Sequence, residues 1–381
     1  ATVMNDVYIV GIDMIRFGKF PGRTAALLGA EAALGALDDA GIGIRDVQTV
    51  YCGCVFQSMM GQRVLQQIGQ TGVPVVNVTN ACATGATAVR DAWMAIRTGD
   101  YDTALAIGVE QMSGMGMLGA QRPGAISTEG LMGSSSMPAT FAEAGLEYAA
   151  LHGTTFAQFA QVAVKNHHHS TMNPKSAIQK ETPLEMVMGA EMIAYPNTKL
   201  MCSIKVDGAA AAVLMSGRKA RELGLMGRAL RIRASILASD PWQDRNPQMF
   251  DINSATRLAA KGAYEASGIG PGDLDLVELH DCFATAELLH YENLGLCAKG
   301  EAGSLLDAGD TAIGGRIPVN LSGGLLSKGH PIGATGVANL YELALHLRGE
   351  AGARQAPNAR IGLAHVVGLG TCSAVHILER A

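Results

Sequence analysis

The sequence predicts an α/β protein made of two pseudo-symmetric halves and one inserted segment, on three observations. The stretch AALGALDDAGIGIRDVQTVYCG (32–53) lies over AAKGAYEASGIGPGDLDLVELH (259–280) without a gap, at an offset of 227, with nine of 22 pairs identical. A second match, GATAV (85–89) on GATGV (333–337), follows at an offset of 248 and opens a long helical pattern in both places. Residues from 113 to 197 match neither half. Chance sharing of Gly and Ala is the weaker account of two gapless matches in the same order, so the chain reads as a duplicated unit with an insertion.

Each copy of the first match reads as an amphipathic helix, a Gly-marked stop and a β-rich strand. In the first half the order is the strand DVYIVGI, a helix over 23–40, VQTVYCGCV, VPVVNVT, a helix after Cys82, and the strand TALAIGVE. The second half begins near ALRIRASIL and runs through LDLVELHD, RIPVNLS, a helix after His330, IGLAHVVGLG and SAVHILE. The larger second offset puts 21 extra residues around LCAKGEAGSLLDAGDTAIGG. The insertion opens Gly-, Met- and Ser-rich, then shows a helical pattern over FAEAGLEYAALHGTTFAQFAQVAVKNHHHS, a natural lid for a ligand. DGAAAAVLMS (207–216) reads as a buried strand returning to the first half. The expected domains are 1–112 with 198–227, the insertion 113–197, and 228–381.

The composition narrows the function. A chain of 381 residues that is 48% hydrophobic and 17% charged buries a large core. A net charge of −5 gives no basic footprint for nucleic acid. Seven cysteines are an odd count, too sparse for a disulfide scaffold, and point to a reducing compartment. The N-terminal stretch is interrupted by Asp6 and Asp13 and reads as a strand, not a signal peptide. No apolar run is long enough to cross a bilayer, and ILERA is not a peroxisomal address. The expectation is a soluble, cytoplasmic protein.

The chemistry sits at equivalent helix starts. Cys82 precedes a helix, where unpaired N–H groups and the dipole favour a thiolate. The offset of 248 carries Cys82 onto His330, just before Pro331 in SKGHPIGATG. Packed halves would bring the two together, and a Cys–His pair is a usual activated nucleophile. VELHDCFATAEL adds His280, Asp281 and Cys282 at a strand end, where α/β folds place ligands. Cys282 can shuttle a proton and His280 can hold a water or polarise a carbonyl. The competing reading there is a helix start capped by Asp281, with Cys282 simply packed. Asn320 and the following Gly pair allow close backbone approach. Cys52 and Cys54 lack a second pair for zinc and read as structural. HHH at 167–169 reads as a solvated helix face, and Lys165, Lys175 and Lys180 as possible contacts of an anionic cofactor. A P-loop and a dinucleotide fingerprint are both missing.

NACATG, HDCF, SKGHPIGATG and the terminal GLG strand together resemble the thiolase superfamily, and HDCF with SKGHPIGATG resembles its sterol-carrier-protein-type branch. The resemblance runs nearly end to end, through GVEQMS, HGTT and DGAAAAVL. It implies a five-layered αβαβα fold with a loop domain over the CoA site, and a homodimer or homotetramer. It implies that Cys82 accepts the acyl group and that His330 activates it and helps form a first oxyanion hole. His280 stands where the common branch has a water-positioning Asn. That branch's acid/base thiol falls at Val366 or Val367 of HVVGLGTCS, so the resemblance gives its role to Cys282. Cys372 lies too far beyond the glycines to replace it. The backbone N–H groups of Cys82 and Gly368 would form a second hole, with Asn320 in support. Ser203, Phe283 and Gly153 of HGTT would line the pantetheine tunnel. No metal and no permanently bound cofactor is expected; coenzyme A is a substrate. The rival expectations are an acyltransferase with a non-CoA acceptor, a decarboxylating synthase, and a non-catalytic subunit of a lyase or thiolase complex.

Overall fold

A computed structural model describes residues 4–115, 137–242, 251–368 and 372–381. Its strands are β1 (Val7–Met14), β2 (Thr49–Gly53), β3 (Val75–Val78), β4 (Thr103–Glu110), β5 (Met192–Ala194), β6 (Asn197–Thr198), β7 (Gly208–Ser216), β8 (Leu230–Ser239), β9 (Leu276–Glu278), β10 (Ile361–Gly368) and β11 (Cys372–Arg380). Its helices are α1 (Ala25–Ala40), α2 (Met60–Ile68), α3 (Thr84–Arg97), α4 (Met137–His152), α5 (Phe156–Ser170), α6 (Leu184–Met188), α7 (Gly217–Glu222), α8 (Ser254–Ser267), α9 (Ala284–Asn293), α10 (Ala302–Asp307), α11 (Gly324–Ser327) and α12 (Thr335–Arg348).

The duplication is visible in the backbone. Helix α1 starts at Thr24, whose hydroxyl accepts from the Leu27 N–H, and stops at Gly41 with φ 70°. Helix α8 stops at the repeat-equivalent Gly268, also at φ 70°. After each stop a carboxylate turns back on a glycine N–H, Asp46 on Gly43 and Asp273 on Gly270, both at 2.8 Å. The strand pairing repeats too. β2 runs parallel to β4, which is antiparallel to β7, itself antiparallel to β1. β9, β10, β11 and β8 follow the same sequence of directions. RIPVNLS, expected as a strand, makes only the parallel bridge Val319–Val277, in the place β3 takes beside β2.

The nine strands join as β3-β2-β4-β7-β1-β8-β11-β10-β9, and within the sheet the halves are joined by two residue pairs of β1 and β8. Alternation along each strand builds the layers. On β7, Ala209, Ala211 and Val213 face α1, whereas Ala210, Ala212 and Leu214 face the α3–α12 layer. On the other half Leu276, Ala364 and Leu378 face that same layer, whereas Val277, Leu363 and Val375 face the core shared with α8 and α9. The layers are therefore helix, sheet, helix, sheet, helix. The small residues of β7 and β4 let helices close over both faces, which outweighs alanine's weak strand preference. At the middle layer Gly85 and Gly333 meet: a Cβ on Gly85 would stand 2.7 Å from the Gly333 carbonyl oxygen. These are equivalent residues of the two GAT segments, so the helix starts carrying Cys82 and His330 cross at close range.

The helical pattern of the insertion is two helices. Gly153, at φ 74°, ends α4 with its N–H on the Ala149 carbonyl. Thr155 and Gln158 form a capping box that starts α5.

Candidate active site

Cys82 stands on a tight turn between β3 and α3. Ala81 is held at φ 47°, a conformation non-glycine residues seldom adopt. Two side-chain bonds hold it there: Thr84 Oγ1 donates to the Ala81 carbonyl at 2.6 Å and accepts from the Asn80 N–H at 2.8 Å. Cys82 is thereby presented just ahead of the helix, 8% exposed, against Met112 and Ile332.

His330 arrives from the other half after Gly329, which lies at φ 116°. Its Nδ1 is 2.6 Å from Thr335 Oγ1, and that hydroxyl donates its one proton to the Pro331 carbonyl. Nδ1 is therefore the donor in the pair, which leaves Nε2 as the basic nitrogen. Burial, then the neighbouring His280 and Lys328, hold His330 well below the usual imidazole range, so it is neutral.

His280 meets His330 edge to face, with ring centroids 5.2 Å apart at 77°. The donor atoms of Cys82, His280 and His330 lie within 4.8 Å of one another. His280 Nδ1 and His330 Nε2 have no hydrogen-bond partner among the described residues. Burial lowers the His280 value to about 3. Cys282 is buried beside this group. Burial, then repulsion from Cys82 and Asp281, pushes its thiol well above its ordinary value, so it rests protonated. By donor type the trio of one thiol and two imidazoles also suits a zinc-class ion.

Residues 202–204 stitch the HDCF turn to the turn that carries His330. The Ser203 N–H donates to the Cys282 carbonyl at 2.8 Å, and the His330 N–H donates to the Ile204 carbonyl at 3.1 Å. Phe283 stacks on Phe141 of α4, with centroids 5.1 Å apart, so the insertion packs directly on the HDCF turn. Gly368 abuts the Cys82 turn: a Cβ there would lie 2.5 Å from the Asn80 carbonyl oxygen and 3.4 Å from Ala83 Cβ.

Other expected residues are placed differently. Asn320 braces the site: its amide accepts from the Leu279 N–H at 2.9 Å and donates to Glu287 at 2.6 Å. Gly153 is a surface helix stop whose Cβ would face open space. Asp281 does cap a helix, but it is α11: its carboxylate accepts from the Leu325 N–H at 2.7 Å. Lys165 is buried against Glu287 at 2.8 Å, which corrects the expectation of an anionic cofactor there. Lys175 pairs with Asp13 at 2.6 Å. His167 and His169 are buried and only His168 is exposed, so the triple histidine is not a solvated face. Cys54 donates its thiol to the buried Glu110, as a structural cysteine would.

Sequence reasoning missed Thr335, which sets the His330 tautomer, and His365, which lies behind His280. Within GATG the sequence marks Thr335 only as part of a helix opening. A cavity of about 640 Å³ lies between α4, the start of α8 and α9, lined by Thr140, Glu143, Tyr148, Arg257, Leu289 and Asn293 among others, and by none of the cluster residues.

The family model described as "Thiolase, N-terminal domain" matches residues 7–194, and "Thiolase C-terminal domain-like" matches 242–380. The chain is 41% identical over 398 residues to "Sterol carrier protein 2" of Oryctolagus cuniculus, covering 98% of this chain and 72% of that protein. It is 36% identical over 390 residues to "Acetyl-CoA acetyltransferase" of Methanothermobacter thermautotrophicus, covering 99% and 100%. Among solved structures, "Ltp2-ChsH2(DUF35) aldolase" superposes with a TM-score of 0.86 at 26% identity, covering 100% of this chain and 99% of the other.

Proposed function

The chain belongs to the thiolase superfamily, and on that premise we propose that it is an acyl-CoA:acyl-CoA C-acyltransferase. In the cleavage direction His330 Nε2 takes the proton of Cys82, and the sulfur attacks the keto carbon of a 3-ketoacyl-CoA. The carbon–carbon bond breaks, and its electron pair leaves on the α-carbon of acetyl-CoA, which takes the proton of Cys282. The resulting Cys282 thiolate, strongly basic in its buried setting, takes the proton of incoming CoA. The CoA sulfur then attacks the acyl-enzyme, releasing the shortened acyl-CoA, and the Cys82 sulfur recovers its proton from His330. Reversed, the same steps condense two acyl-CoAs.

Charge develops on one thioester oxygen and then on the other, so two donor sets are required, each lost donor typically slowing the reaction by about 10²–10³. In this reading the N–H groups of Cys82 and Gly368 serve the oxygen of the carbonyl that Cys82 attacks, and His280 and His330 serve the thioester oxygen of the departing acetyl-CoA. Ser203 and Phe283 lie along the pantetheine, and residues 137–197 cover it; the Gly-, Met- and Ser-rich stretch 116–136 of the expected lid lies outside the described residues. The observation that carries the reading is a neutral imidazole with a bare nitrogen beside Cys82, with a protonated second thiol next to both. The edge strand β3, with Val76 exposed and a partner on one side only, supports pairing with a second copy. The seven thiols, with no disulfide among them, suit a reducing cytoplasm. No helix of the described residues is long and apolar enough to cross a membrane.

The solved neighbour named as an aldolase with a DUF35 partner favours a second reading: carbon–carbon cleavage without acyl transfer, together with a partner subunit. A panel of 3-ketoacyl-CoAs assayed for CoA-dependent cleavage separates the two. The thiolase reading predicts cleavage with CoA consumed, and a fall of about 10²–10⁴ in Cys282→Ala. Cleavage that ignores CoA, or full activity in Cys282→Ala, would overturn it.

A further inference from the structure

We propose that His365 is a positioning residue for this reaction, seating the His280 turn against β10 so that the groups around Cys82 hold one mutual geometry. The inference rests on the thiolase reading above.

The ring of His365 is placed and oriented by a one-way run of hydrogen bonds. The backbone N–H of His280 points at His365 Nδ1, 3.4 Å away. A backbone N–H only donates, so Nδ1 is bare and the ring proton of this neutral imidazole is on Nε2. Burial, then His290 and His280, keep the ring neutral, well below the usual imidazole range. Nε2 is 2.9 Å from Thr256 Oγ1, which accepts; that hydroxyl lies 3.3 Å from Ser373 Oγ, and Ser373 donates to the Val366 carbonyl at 3.2 Å. At 3.4 Å the first bond is long, so it contributes direction more than energy.

The same residue joins three catalytic elements. Its ring holds the turn that carries His280 and Cys282. Its carbonyl accepts from Asn339 of α12, the helix that follows His330, at 3.5 Å. It lies on β10 three residues before Gly368, which packs on the Cys82 turn. His290 closes the far side, edge to face at 4.5 Å and 67°. A ring of similar volume without nitrogen would fill the space and leave the His280 turn unanchored. Small misplacements of a reacting group are enough to slow a reaction about 10²-fold.

The test compares two reactions of the same enzyme. Thiolysis of the best-cleaved 3-ketoacyl-CoA forms a carbanion and needs His280. Exchange of labelled CoA into the acyl-CoA product acylates and deacylates Cys82 without forming one. His365→Phe is expected to lower kcat for thiolysis by about 10- to 100-fold with the KM for CoA little changed, and to slow exchange much less. His365→Asn, whose amide oxygen stands near the Nδ1 position, should recover most of the thiolysis rate. His365→Gln, which reaches toward Thr256 instead, should not. Thiolysis and exchange falling together, or Asn and Gln recovering equally, would mean that His365 only supports the fold. If the Phe variant does not fold, the Asn-against-Gln contrast decides alone. Wild-type protein that performs no thiolysis overturns the thiolase reading and this inference with it, whereas an active wild type with an unchanged ratio overturns only this inference.

Discussion

At residue 82 the first half presents a thiol from an interior of alanine, valine and leucine; at residue 330 the second half presents an imidazole from an interior full of ionisable groups. All ten histidines lie in the insertion or the second half, none in 1–112 or 198–227. Behind the second helix start run Lys165–Glu287, with Asn166 bridging Glu287 and Asp281, and then Glu342 held by Arg354 and His346. The first half has little of this; its buried carboxylates, Glu110 and Asp207, mostly satisfy backbone N–H groups. The same backbone, used twice, thus supports two kinds of interior. A nucleophile needs only a well-held turn and a helix start. A proton acceptor, a donor set and an acid/base thiol must each be fixed in protonation state and direction, and that requires a polar framework.

That contrast is broken most severely by removing the thiol. Cys82→Ala should reduce turnover by roughly 10⁴–10⁶ while leaving the melting temperature close to that of the wild type, read by steady-state assay and calorimetry. Removing one partner of the buried ion pair probes the other half. Lys165→Met leaves Glu287 with an uncompensated charge and should destabilise the protein by about 3–5 kcal/mol in denaturant melts. A smaller effect is expected at Thr335→Val, which frees the His330 tautomer while keeping the shape. Its kcat should fall by about 10- to 100-fold with stability nearly unchanged.

Acid should find the same asymmetry. Burial holds His280, His290 and His376 at about 3, and His330 and His365 well below the usual range. The unfolded chain takes up these protons near pH 6.5, so their contribution is whole above that pH and is lost as pH falls toward 3, up to about 1.4 kcal/mol per pH unit for each group. Hydrogen exchange at pH 5 should therefore open the second half first; equal loosening of α1 and α8 would contradict the comparison. The smallest expected effect is none: a chelator of divalent metals should leave the activity unchanged, and inhibition would favour the metal reading of the Cys82, His280 and His330 trio.

The sequence carried the frame of this fold far. Periodicity and two gapless matches were enough to pair Cys82 with His330, because duplicated backbones put equivalent residues at equivalent places. The tautomer of His330 was not legible, since it depends on where a threonine hydroxyl sends its proton. Nor was the burial of Lys165, His167 and His169: a polar run on a helix looks the same whether it faces water or a carboxylate from α9. The local structure at Gly153, by contrast, was legible. HGTT matched a motif, while its local chemistry, an αL glycine followed by a capping box, already marked the end of one helix and the start of the next.

The central claim is that Cys82 carries the acyl group. The direct measurement is to incubate the protein with acetyl-CoA, quench in acid and map the peptides by mass. The account predicts an acetyl group on the peptide containing Cys82, lost in Cys82→Ala and discharged by added CoA. Turnover with the label on another residue, or with no acyl-enzyme at all, would contradict it.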